Sequence, residues 1–64
     1  MILIVNPEQA PAMGDLRAAG QGDVIIIRRE ARNRPDWSRL LDAAVSAVGR
    51  GATLSVEGYR PDGP

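Results

Sequence analysis

The apolar residues of this chain fall into clusters whose spacing predicts a β-α-β-α-β order. Ile2-Leu3-Ile4-Val5 is apolar on both faces and stops at Asn6-Pro7, the pattern of a buried strand. Ala12, Met13, Leu16 and Ala19 then recur at helical spacing. Pro11 suits a first helical turn and Gly20 a stop, so a short helix is expected between them, weakened by Gly14. Asp23 to Arg28 holds the β-branched run Val24-Ile25-Ile26-Ile27, which predicts a central strand covered on both faces.

From Pro35 or Asp36 to Val48, the residues Trp37, Leu40, Leu41, Ala44, Val45 and Val48 form one stripe at 3.6-residue spacing, which predicts an amphipathic helix. Asp36 stands where it would cap the helix start, and Gly49 or Gly51 can take the left-handed position after its end. Ala52 to Glu57 alternates, with Ala52, Leu54 and Val56 on one face, as an edge strand does. Residues 58–64 hold two prolines and two glycines and read as a surface tail, with Tyr59 packing back.

The fold class expected is therefore α/β, a small three-stranded sheet in one domain of 64 residues. A helical crossover joins the second and third strands, so these should be parallel and the connection right-handed. Half of a doubly wound fold is the nearest description. Strand orders 2-1-3 and 1-2-3 bury similar area, and the pattern does not choose between them. The first two strands are apolar on both faces, yet only one strong helix is available to cover them. Either the segment from Ala12 to Ala19 covers the second face, or that face meets a partner, a homodimer among the options.

Composition narrows the chemistry. A chain this short buries only about 60% of its unfolded surface, and mini-proteins of this size often add disulfides or a metal. Neither is expected here, because cysteine and histidine are both absent. Lysine is absent too: all eight basic residues are arginine, which reads as GC-rich codon usage alongside the abundant alanine, glycine and proline. These absences remove the usual nucleophiles, bases and Schiff-base amines, so no enzyme and no cofactor is expected. Ser38, Ser46 and Ser55 read as surface hydroxyls. The acids stand at element ends or polar helix positions and show no spacing that suggests a metal site. Gly20-Gln21-Gly22 and Gly49-Arg50-Gly51 precede strands, whereas a phosphate-cradling loop follows a strand and opens a helix. Both read as turns.

Formal charge is zero, which argues against a globally basic nucleic-acid binder, but the charge is unevenly placed. Residues 28–39 carry five arginines against two acids. Arg28, Arg29, Arg32, Arg34 and Arg39 are the candidate partner-binding residues, since they lie beyond the C-terminal end of the central strand, where ligands of parallel sheets bind. Trp37 beside them reads as core. Met1 to Val5 is too short for a signal peptide and no run is long enough to span a membrane, so a cytoplasmic protein without membrane contact is expected.

Asp36 to Tyr59, DWSRLLDAAVSAVGRGATLSVEGY, resembles the later helix and strand of an STAS domain over about a third of the chain. The Asp-Ser or Asp-Thr-Ser turn that carries the phosphorylatable serine in anti-sigma-factor antagonists should precede that helix. Arg34-Pro35-Asp36-Trp37 stands there instead, so the likeness extends only to α/β grammar, and membership is not drawn from it. Two readings of function follow. One is a small binding or inhibitory module that blocks a protein or protein–nucleic acid complex by occlusion, similar in size and lack of motif to phage anti-CRISPR proteins. The other is a dimerising regulatory domain, antitoxin-like or STAS-like. Direct nucleic-acid binding ranks below both.

Overall fold

A computed structural model describes residues 1–57; the expected tail and Tyr59 lie outside the described residues. The chain runs β1 (Ile2–Val5), α1 (Met13–Ala18), β2 (Val24–Ile27), a 3-10 turn (Arg29–Asn33), α2 (Trp37–Gly49) and β3 (Thr53–Val56). The three strands form one parallel sheet in the order β1-β2-β3, with Ile4 beside Ile26 and Ile26 beside Ser55. The β-branched run is central, as its composition predicts, and β3 is an edge.

The strand order decides where the helices go. Both crossovers step in the same direction across the sheet, so right-handed connections place α1 and α2 on the same face. The core lies between that face and the two helices. Leu3, Val5, Ile25 and Ile27 meet Leu16, Ala19, Leu40, Ala43, Ala44 and Ala47, all buried. The first helix therefore does not cover the second face. The expectation that β1 and β2 are covered on both sides is corrected: β1 alternates exposed and buried, and β2 alternates half-buried and buried.

The α2 stripe is corrected as well. Leu40 and Ala44 are buried, and Trp37 packs partly against the core. Leu41, Val45 and Val48 are 36, 55 and 43% exposed, while Ala43 and Ala47 take the buried places. Small side chains on that arc let α2 approach both α1 and the sheet closely. The helix ends as its glycines predict. Gly51 adopts φ +105°, its N–H donates to the Val48 carbonyl, and the Ala52 N–H donates to that of Ala47. These are the two bonds of a Schellman motif. At the other end Asp36 occupies the N-cap position but its side chain makes no capping bond, because Arg34 holds the carboxylate.

Candidate interaction surfaces

The arginine-rich connection is an ordered turn, pinned by Ala31, which is fully buried. Its arginines do not converge on one point. Arg34 is the least exposed, with 17% of its side chain accessible. Its Nε and Nη2 donate to the two Asp36 carboxylate oxygens at 2.8 and 3.2 Å. Its Nη1 donates to the carbonyls of Asn6 and Pro7 at 3.2 and 3.1 Å, fastening the loop after β1 to the start of α2. Arg34 is thus engaged by the fold. The bonded guanidinium holds the Asp36 carboxyl below the usual carboxylate range.

Arg28 lies on the face of the sheet away from the helices, where its Nε meets Glu57 Oε2 at 2.8 Å. Arg29 and Arg32 are exposed and no carboxylate among the described residues pairs with them. Glu30 does not neutralise them; its carboxylate accepts a bond from the Asn33 side-chain amide. Arg39 stands apart on α2, between a shallow concavity beside Arg34 and a groove of about 570 Å³ between the helices. That groove also carries Arg17, Asp42, Ser46 and Arg50. Among the described residues no group of three acids is placed to hold a metal.

Arg50 is the functional side chain of the fold that sequence reasoning missed. Its Nε donates to the Ala19 carbonyl at 2.8 Å and its Nη2 to that of Leu16 at 3.1 Å. It thereby satisfies the C-terminal carbonyls of α1 from the end of α2. The partners lie 31 and 34 positions away, so no local pattern announces them. At the same turn Asp23 accepts the Gly20 N–H at 2.9 Å and faces the Met1 amino group at 3.1 Å. These two donors, the Gly20 N–H foremost, lower the Asp23 pKa.

The remaining surface of note is the uncovered face of the sheet. Ile2 and Ile4 on β1 are 65 and 42% exposed, and Val24 and Ile26 beside them are half-buried. Thr53 and Ser55 continue the rows onto β3, and the Arg28–Glu57 pair borders them at the C-terminal end. No helix among the described residues is long and apolar enough to cross a membrane. No family model, curated protein or solved structure matches this chain.

Proposed function

We propose that this protein is a non-enzymatic binding module that acts by covering part of a protein partner, with the uncovered face of its sheet as the contact. The observation that carries this reading is an all-parallel sheet with helices on one face only. Parallel sheets occur almost always with both faces covered, because their strands are apolar on both. Here the second face presents Ile2 and Ile4, exposed, beside Val24 and Ile26, half-buried, so apolar surface remains for a partner to cover on all four.

The face is too small to hold a partner by itself. Three strands four residues long make a patch roughly 14 by 13 Å. Stacked on its own copy, such a patch buries far less than the ~800 Å² per partner of a stable interface. A partner must reach past the sheet, and beyond the Arg28–Glu57 pair at its C-terminal edge stand Arg29 and Arg32, unpaired among the described residues. An apolar patch bordered by acidic groups is the complementary surface, and occlusion of that surface is the mode of action.

Affinity capture from the source cells, with wild type and Ile4→Asp as parallel baits, tests the proposal. Ile4 is exposed, so the variant should keep the wild-type circular dichroism spectrum. A protein retained by wild type, lost by Ile4→Asp and weakened by Arg29→Glu/Arg32→Glu is the expected result. Equal retention by all three baits contradicts it. A wild-type mass of two subunits that falls to one in Ile4→Asp selects the dimerising domain instead.

A further inference from the structure

By standard dimensions a layer of two helices is wider than a sheet of three strands. An α-helix with its side chains is about 10 Å across, so two side by side need roughly 20 Å. Three strands about 4.8 Å apart supply roughly 14 Å. The shortfall is about one strand, and the exposure of the two edges puts it on the side of β3. In the helix-facing row of Val5, Ile27 and Val56, the first two are 1% exposed and Val56 is 41% exposed.

On α2, the flank that faces α1 is marked by Arg39, Ser46 and Arg50, which share a groove with Arg17. At 3.6 residues per turn, Leu41 and Val48 fall on the opposite flank, beyond β3, with Val45 next to them. The backbone of β3 is open on the same side. The Thr53 N–H donates to Asp23 and the Glu57 N–H to Ile27, both toward β2. Alternation along the ladder leaves the N–H and C=O of Leu54 and Val56 facing outward, where no described strand pairs with them.

We infer that this flank takes one extended segment of a protein partner, added to β3 as a fourth strand under the overhang of α2. The segment alternates aliphatic with polar residues. Its aliphatic side chains meet Leu41, Val48 and Val56, and its polar ones continue the surface of Thr53 and Ser55. Main-chain bonds to Leu54 and Val56 supply affinity, and the aliphatic alternation supplies selectivity. The flank carries no charged side chain, so a charge on the inner side of the segment is excluded.

A second copy fits less well. Pairing through two β3 edges sets two helices, each about 10 Å wide, over strands about 4.8 Å apart. Residues 58–64 contain two prolines and no aliphatic side chain, so they do not supply the pattern. This surface is separate from the open sheet face, and either can fail without the other.

The test pans a displayed library of random decapeptides against the protein and measures the enriched peptides against two variants. Val48→Asp puts a charge on the contacting flank at an exposed position. Val56→Pro removes an outward N–H, a place where an edge strand tolerates proline. Amide exchange of β2 confirms that both variants keep the fold. Enriched peptides should carry aliphatic residues at every second position and slow the exchange of the Leu54 and Val56 amides. Each variant should weaken them about tenfold, the equivalent of one lost bond or aliphatic contact. Absence of enrichment, aliphatic residues at spacings of three and four, or binding that survives both substitutions overturns the inference. So does a two-subunit mass that Val48→Asp reduces to one, which makes the occupant a second copy.

Discussion

Arg50→Ala should loosen the first crossover and cost the domain a substantial part of its stability. Helix α1 has six residues, well below the length at which isolated helices persist in water. Its N-cap, Ala12, offers no side-chain bond, so its support comes from Leu16 and Met13 against the core and from Arg50 at its C-terminal carbonyls. Hydrogen bonds from charged donors contribute about 1.5–3 kcal/mol each, but water replaces much of that at an exposed residue. Loss of the two together should therefore cost about 1–2 kcal/mol. A domain of this length has roughly 3–10 kcal/mol in total, and each kcal/mol moves its midpoint by about 4–8 °C. We expect the melting midpoint to fall by roughly 5–15 °C. Urea titration followed by far-UV circular dichroism should show a lower midpoint at unchanged slope. Arg50→Lys, which keeps the charge but not the two-donor fork, should lie between alanine and wild type. If Arg50→Ala remains within about 0.5 kcal/mol of wild type, as ordinary surface substitutions do, the reasoning is wrong and core packing alone holds α1.

The backbone and the charge pairs carry the other expected outcomes. Gly51→Ala should destabilise by more than about 1 kcal/mol, because φ is +105° and the new Cβ would lie 3.3 Å from the Gln21 Cα. Gly22→Ala has a similar φ of +89° but open space, so the same urea midpoints should show a smaller loss. Gly14→Ala, with nothing within 4 Å of the added carbon inside α1, should stabilise by about 0.5–1 kcal/mol, read as a raised midpoint. Asp23 and Asp36 have folded-state pKa values below their unfolded ones. Their contribution is therefore present above the unfolded value of about 3.9 and is lost as pH falls through the lowered folded values. Midpoints measured from pH 6 to pH 2 should drop in the acid range, and Asp36→Asn should flatten part of that drop.

Most of the elements were legible because their signals are local. Four β-branched residues marked the central strand, and two glycines placed the Schellman stop of α2. The layer arrangement was not legible, since a run such as Val24 to Ile27 reads the same whether its second face meets a helix or another protein. The strand order, which settles that question, depends on a small difference between two packings of similar area. The rotation of α2 was hidden for a related reason. Leu41, Val45 and Val48 lie next to Ala43, Ala44 and Ala47 on one wide apolar arc, and a reading by side-chain size centres the stripe on the larger residues. Contact with both α1 and the sheet selects the smaller ones. Of the five candidate arginines, proximity in sequence grouped Arg34 with its neighbours, yet its contacts with Asn6 and Pro7 span nearly half the chain. The basic connection was visible; which of its charges the fold uses internally was not.

The two arginine clamps also bear on the order in which the chain acquires structure. Arg34 holds the loop that leaves β1, and Arg50 holds the end of α1, so both ends of the first crossover are fastened by residues of the second. A polypeptide synthesised from its amino end lacks both fasteners until Arg34 and then Arg50 have been added. It cannot retain the six-residue helix in that interval. Folding is then a single late event that awaits α2, and a peptide of residues 1–33 should give the circular dichroism of a disordered chain. A helical spectrum from that peptide would contradict this order.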